Sequence, residues 1–439
     1  MKIVADLHIH SRFARACSKA LTVSTLAETA AAKGITVLGT GDFLHPAWRA
    51  ELRRDLEEAE SGLFRSRITD AGLHGKVPVR FMLTTEISCI YSKGGKVRRV
   101  HHLVFVPSFN AATALAEALL TRGAKLSSDG RPIIGLDSKE LLKMVLVLGP
   151  DAMLVPAHAW TPWFAVFGSK SGFDSLEECF DELAHEVVAI ETGLSSDPPM
   201  NWRVSALDRV ALLSNSDAHS LPNLAREANI LELQALSYGN VIAAIRNSSP
   251  ARLAASPSAA NRIVSTIEFY PEEGMYHIDG HRACDVRLTP AETKKYQRLC
   301  PRCHVPVTIG VLNRVDNLAD RPEGFRPKGA PEYISLVELD KIIAEGLGIV
   351  SRSSKRVTEE YKKIIPACGS ELDVLMHVPL GTLSSVATPA IVEGIRRVRA
   401  RELEILPGFD GQYGTVRIFP KGLQKIITDG GKQQLTFLP

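Results

Sequence analysis

The sequence predicts an α/β fold built on parallel strands over residues 1–250, because short β-branched or apolar runs alternate there with helix-like segments. Composition agrees: of 439 residues, 45% are hydrophobic and 23% charged, as in globular proteins, and the length suits two or three domains. No apolar run approaches the roughly 20 residues needed to cross a bilayer, and no charged leader with an apolar core precedes Asp6. The expected setting is therefore cytoplasmic, with no membrane partner. A net charge of +3 neither demands nor excludes a polyanion partner.

Seven strands are expected, at 2–9, 36–40, 79–84, 100–106, 152–156, 186–190 and 210–214. Between them, Ser24 is placed to cap a helix through Lys33 that Gly34 ends, Asn110 one through Leu120, and Asp137 or Ser138 one through Leu148. Repeated strand-to-helix order favours a barrel or a doubly wound sheet. Residues 251–262, "ARLAASPSAANR", turn small and polar and read as a linker. A short Cys/His module follows at 263–315, then a largely helical domain at 316–430, where Leu336, Leu339, Ile342 and Ile343 fall at helical spacing. Within it, "AIVEGIRRVRARELE" reads as a basic amphipathic helix with a solvated charged face. Residues 431–439 form the tail. Cys17, Cys89, Cys179 and Cys368 are scattered singly, as reduced, buried thiols are.

Metal-capable side chains recur where the strands end. "DLHIH" supplies His8 and His10, "VLGTGD" Asp42, "MLTTE" Glu86, "LVPAH" His158, and "LLSNSDAH" Asp217 and His219. The alternation of Asp6, His8 and His10 puts all three on one side of the chain. His101 and His102 open the fourth strand on opposite faces, so only one of them easily joins a common site. In a parallel barrel the C-terminal strand ends converge on one mouth. A single histidine after a strand is usually a hydrogen-bonded core residue, but five strands ending this way point to a shared metal site. Imidazoles with carboxylates suit Zn, Mn or Fe, and Glu86 can bridge two ions. Such ions lower the pKa of bound water toward ~7 and clamp a phosphoester during displacement. Phosphoester hydrolysis is the expected chemistry, with amide hydrolysis the competitor.

"DLHIH", "GTGD", "TTE", "HHLVF", "PAH" and "SDAH" resemble, in order, the motifs of the polymerase and histidinol phosphatase (PHP) superfamily. That resemblance implies a distorted (β/α)7 barrel with a two- or three-metal phosphoesterase centre. It implies one ion held by His8, His10, Glu86 and Asp217, a second by Glu86, His102 and His158, and a third site near Asp42 and His219. "SRFARACSK" has no histidine where many members supply one, so the third ion is weaker, differently ligated or absent.

Downstream, His281-x2-Cys284 precedes Cys300-x2-Cys303 by fifteen residues. Two such pairs can wrap one tetrahedral zinc, replacing a core that so small a segment cannot build. His277 and His304 are alternatives to His281. With four ligands no position remains for catalysis, so this zinc is structural.

The full order, barrel motifs, then "GHRAC…CPRC", then "TIGVLNRVDNLADRPEGFRPKGAPEY" and "GFDGQYGTVRIF", resembles the endonuclease Q family. What this implies is a metal-dependent DNA repair endonuclease, with Asp217, Glu86 and His8 catalytic, that cuts 5′ to uracil, hypoxanthine, xanthine and abasic sites. It would leave 3′-hydroxyl and 5′-phosphate ends. An everted base wants aromatic walls, and "HAWTPWFAVFGSKSGF" offers Trp160, Trp163, Phe164 and Phe167 just after His158, with Lys170 for phosphate. The alternative is a loop packing its aromatics into the rim. Arg12, Arg15 and Lys19 follow the first histidine pair, and Arg226 lies past the last motif; both are expected DNA contacts. The tail "GGKQQLTFLP" resembles peptides that dock into sliding clamps, or else simply docks on the protein. Competing readings are a phosphatase of small phosphomonoesters, for which the last 180 or so residues have no obvious use, and a non-catalytic nucleic-acid scaffold.

Overall fold

The computed structural model describes residues 1–68 and 78–420. The clamp-peptide expectation for 431–439 and the final stretch of the expected C-terminal domain lie outside the described residues.

The architecture is mixed α/β. Each expected strand position carries a strand, mostly shorter than anticipated: Lys2–Asp6, Val37–Gly39, Arg80–Met82, Lys96–Phe105, Met153–Pro156, Ala189–Glu191 and Ala211–Leu213. The first stops at Asp6, where its side chain turns to accept the backbone N–H groups of Ser216 and Ala225, both at 3.0 Å. Lys2–Asp6, Val37–Gly39 and Arg80–Met82 run parallel, as do Ala189–Glu191 and Ala211–Leu213.

The expectation of a wholly parallel arrangement is corrected at two places. Lys2–Asp6 pairs antiparallel with Ala228–Glu232, and Thr84–Lys93 forms a long antiparallel hairpin with Lys96–Phe105. The hairpin turns on Gly94 and Gly95, with φ of 60° and 72°, the two-residue turn that matches strand twist and that side chains rarely adopt. Single bonds then stitch the sheets together at the ends that matter: Ala159 N–H to the Glu191 carbonyl at 2.9 Å, and Ser214 N–H to Asn229 Oδ1 at 3.0 Å.

Helices Val23–Lys33, Phe109–Thr121 and Ser138–Leu146 stand where expected, the third capped by Asp137, but Thr22 rather than Ser24 caps the first and Ser108 rather than Asn110 the second. Gly34 ends the first at φ 95°. The expected linker at 251–262 is also corrected. Ser249 caps a helix, Pro250–Ala255, with proline at its start, a stop-and-start signal hidden by the small-residue composition. Arg262–Glu268 then pairs antiparallel with Ala228–Glu232 and parallel with Glu332–Ser335, so the large sheet runs straight across the expected boundary.

Helices Leu339–Gly346, Lys355–Cys368, Glu371–Met376 and Pro389–Arg399 follow, burying Leu339, Ile342, Ile343, Ile391, Ile395 and Val398 in the same apolar core as Leu26 and Trp48. The arginines of Pro389–Arg399 are engaged: Arg396 with Glu393 and Glu402, and Arg399 with the carbonyls of Val374 and Val378. A buried Lys33–Glu371 pair at 3.0 Å ties the first helix to this region.

Candidate metal centre

Six side chains, lying in or just beyond five strands, meet in one largely buried cluster. The ligand atoms of His8, His10 and Asp217 lie within 4.8 Å of one another, and so do those of Glu86, His101 and His158. Glu86 joins the two groups. Its Oε2 lies 3.3 Å from His10 Nε2 and 3.8 Å from His8 Nε2, while its Oε1 lies 2.7 Å from His101 Nδ1 and 3.0 Å from His158 Nε2. Asp217 Oδ1 faces His10 Nε2 at 3.1 Å and His8 Nε2 at 3.5 Å.

A surrounding layer fixes these rings. Glu191 Oε1 and Oε2 sit 3.1 and 3.0 Å from His8 Nδ1, and Asp42 Oδ1 sits 3.0 Å from His10 Nδ1. Each bond makes the Nδ1 atom the donor and turns Nε2 inward with its lone pair, the tautomer a metal requires. Glu191 Oε2 also accepts the backbone N–H of His158 at 2.8 Å, and Asn215 donates to its Oε1 at 3.0 Å. Arg131 Nη1 donates to Glu86 Oε2 at 3.0 Å.

The donor set fits divalent ions. His8 Nε2, His10 Nε2 and Asp217 Oδ1 are buried atoms with no hydrogen-bond partner, a costly arrangement unless something occupies the point they share. Charge points the same way, since four carboxylates, Asp42, Glu86, Glu191 and Asp217, meet around His8 and His10, while Arg131 pairs with Glu86. Burial alone disfavours protonated His8 and His10, yet the carboxylates beside them, Glu191 and Asp217 for His8 and Asp42 for His10, hold both well above the usual histidine range. Burial likewise works against ionised Glu86, but His101 and Arg131 keep it well below the usual carboxylate range. The site demands cations.

Backbone strain concentrates here. Asp42, His158 and Asp217 take left-handed φ of 48°, 29° and 46°, a conformation that costs a side-chain-bearing residue about 1 kcal/mol or more. Gly193, at φ 61°, packs so closely that an added Cβ would fall 2.5 Å from the His158 Cβ.

Several expected residues are placed elsewhere. His102 is corrected to His101: strand alternation sends His102 outward, where Nε2 meets Ser138 Oγ at 2.7 Å and its ring packs on Phe180. Asp42 is fully buried behind His10, with Oδ2 accepting Ser11 N–H at 2.6 Å, so both its oxygens are engaged. The His219 ring lies tilted against that of His10, centroids 4.6 Å apart and planes at 55°, with its Nδ1 on the Asp217 carbonyl, outside both donor groups. Trp160 is corrected from a lesion contact to a core residue: it is 1% exposed and donates to Asn201 Oδ1 at 2.8 Å. Phe164 packs on the His101 ring at 4.7 Å, and Phe167 is buried. Trp163 and Lys170 are exposed. Arg12 pairs with Glu51 at 2.5 Å, and Lys19 donates to the Arg12 carbonyl. Arg226 Nε holds the Ser216 carbonyl at 2.8 Å, bracing the turn that carries Asp217.

A second donor cluster lies apart. His281, Cys284, Cys300 and Cys303 bring their ligand atoms within 4.8 Å of one another, with His281 Nδ1 3.3 Å from Cys303 Sγ. His277 is buried away from it, and burial draws its pKa down to about 4. Burial disfavours the Cys300 thiolate, but the N–H groups of Arg302 and Cys303 lower its pKa to about 6.

Comparison with known proteins places this geometry. A family model for the MJ0043 C-terminal domain matches residues 338–402. Uncharacterized protein MJ0043 of Methanocaldococcus jannaschii is 30% identical over 276 residues, 61% of this chain, and the match takes in 32% of that longer protein. Uncharacterized protein YqxK of Bacillus subtilis is 30% identical over 428 residues, 95% of this chain and 99% of that one. The lesion-specific endonuclease PfuEndoQ from Pyrococcus furiosus superposes with a TM-score of 0.81 at 30% identity, covering 99% of this chain and all of that one. The chain belongs to the endonuclease Q family. A further endonuclease Q structure, complexed with a 27-mer duplex substrate carrying an abasic lesion at the active site, matches at TM-score 0.81 and 31% identity, over 97% of this chain and 98% of that one. Similarity across the whole length of an endonuclease Q takes in both donor clusters and the helical region beyond them.

Proposed function

We propose that this endonuclease Q family member is a metal-dependent DNA repair endonuclease that hydrolyses the phosphodiester 5′ to uracil, hypoxanthine, xanthine and abasic sites. The observation that carries the reading is Glu86, which joins two donor groups at the rim of a chain similar end to end to an endonuclease Q bound to abasic duplex. The strand ends form the mouth of a distorted (β/α)7 barrel in this reading. His8, His10, Glu86 and Asp217 would hold one ion, and Glu86, His101 and His158 a second. Divalent zinc, manganese or magnesium held by these residues would supply Lewis acidity to the phosphoester and to water. Glu191 and Asp42 keep the imidazoles in the ligating tautomer, and Arg131 sets the carboxylate of Glu86. His281, Cys284, Cys300 and Cys303 would hold a structural zinc.

Labelled duplexes bearing uracil, hypoxanthine, an abasic site or no damage, with Mn²⁺ or Mg²⁺ and with chelator, test the proposal. A nick 5′ to each lesion, leaving a 3′-hydroxyl and lost in chelator, is expected. In Asp217→Asn, which keeps the size of the side chain and removes its charge, nicking should fall by at least ~10³-fold with the fold intact; undiminished cleavage refutes the assignment.

A further inference from the structure

The segment that follows His158 touches both histidines of the second donor group. His158 Nδ1 donates to Thr161 Oγ1 at 3.2 Å, and Thr161 Oγ1 in turn donates to the Trp163 carbonyl at 2.9 Å. The Phe164 carbonyl accepts His101 N–H at 3.0 Å, and the Phe164 ring covers the His101 imidazole. Between these two anchors stands Trp163, whose indole is 39% exposed. The other three tryptophans, Trp48, Trp160 and Trp202, are buried. The Trp163 ring meets Tyr276 edge to face, with centroids 5.4 Å apart and planes at 73°. That arrangement joins the metal-side loop to the segment leading into the cysteine cluster and leaves the indole partly exposed. Tyr276 is half-buried, and the turn at Gly411 brings Arg282 and the Tyr276 hydroxyl to the same spot.

We infer that Trp163 and Tyr276 form the platform on which the everted lesion base stacks during cleavage. This deepens the endonuclease reading and rests on it. Every nucleobase offers a flat π face, so stacking binds uracil, hypoxanthine and xanthine alike, without a dedicated hydrogen-bond code. An exposed indole held beside a catalytic rim, with a cation nearby, has the makeup of a single-strand base contact. The main chain of Trp163, not its indole, carries the tether to His158, so the ring is free to meet substrate while the ligand stays fixed. Tyr276 comes from a distant part of the chain, and so the platform forms only when the cysteine module is docked.

An abasic duplex presents no base to stack, which supplies the test. Trp163→Ala and Tyr276→Ala should lower kcat/KM on uracil duplex at least tenfold more than on abasic duplex, while Trp163→Phe and Tyr276→Phe restore most of the uracil-to-abasic ratio. With chelator present to prevent turnover, uracil duplex should quench the Trp163 emission more than abasic duplex does, and Trp163→Phe should abolish that difference. An unchanged ratio in both alanine variants, or equal quenching by the two duplexes, overturns the platform while leaving the nuclease reading standing. A wild-type protein that cuts neither duplex overturns both.

Discussion

Both carboxylate oxygens of Glu191 lie within 3.1 Å of His8 Nδ1, and one of them also accepts the backbone N–H of His158. One buried acid therefore sets the tautomer of a residue in one donor group and the main-chain position of a residue in the other.

Glu191→Gln leaves the shape but offers a single acceptor oxygen and an amide that competes for the same ring nitrogen. Outer partners of metal-bound histidines are worth about 10–100-fold in metal affinity or activity. The Mn²⁺ concentration giving half-maximal nicking should rise by that order, and excess Mn²⁺ should restore most of kcat. An unchanged metal dependence would remove Glu191 from this role.

His101 and His102 separate ligand from scaffold. His101→Ala deletes a nitrogen 2.7 Å from Glu86 and should reduce bound metal at the Glu86 cluster by one ion per chain, with nicking down by ~10²-fold or more. His102→Ala removes a bond to Ser138 and a contact with Phe180, and should lower thermal stability by ~1–3 kcal/mol while keeping metal content. Metal analysis of the two variants distinguishes them, and the opposite pattern would restore His102 as the ligand.

This pair also shows what the sequence reveals and what it hides. Alternation makes plain that only one of the two histidines faces the cluster, but which one depends on the register of Thr84–Lys93 against Lys96–Phe105, set by a Gly94–Gly95 turn that the strand pattern alone does not locate. The strand-end rule that points to His8, His10, Glu86, His158 and Asp217 applies equally to the sixth strand, whose end is Glu191. Arg131 sits in a loop with no periodic signal, and its approach to Glu86 is visible only in three dimensions. Asp6 shares the alternation of His8 and His10 yet ties down the backbone of Ser216 and Ala225, because a buried strand end must also satisfy its neighbours' N–H groups. Trp160 failed as a lesion contact for a similar reason, since aromatic content does not tell which rings of a loop turn inward.

Cys300→Ser tests the second cluster. Cys300 is buried, while Cys303 is exposed, and serine is a poor zinc ligand. Zinc content should fall by one ion per chain and the melting temperature should drop, with weaker binding to lesion duplex. Retained zinc and unchanged DNA affinity would exclude a structural zinc at these residues.

Glu268 predicts a pH dependence that lies outside both clusters. Burial pushes its pKa up to about 8, opposed by hydrogen bonds from Thr266 and Thr192, and neighbouring Glu227 is raised as well, by burial and by the charge of Glu268. The folded chain thus keeps the Glu268 proton while an unfolded chain, with the ordinary value of 4.5, releases it. Between those values the folded state binds more protons, so stability from this group is complete below about pH 4.5 and is lost as pH rises toward about 8. The loss is at most ~5 kcal/mol and smaller if the two acids share one proton. Glu268→Gln carries a neutral side chain at every pH and can still accept from Thr192. Its melting temperature should exceed that of wild type at pH 8 and approach it at pH 5, in chelator-free buffer of constant ionic strength. A wild type and variant that keep the same separation across that range would show that Glu268 is ionised in the fold and overturn the prediction.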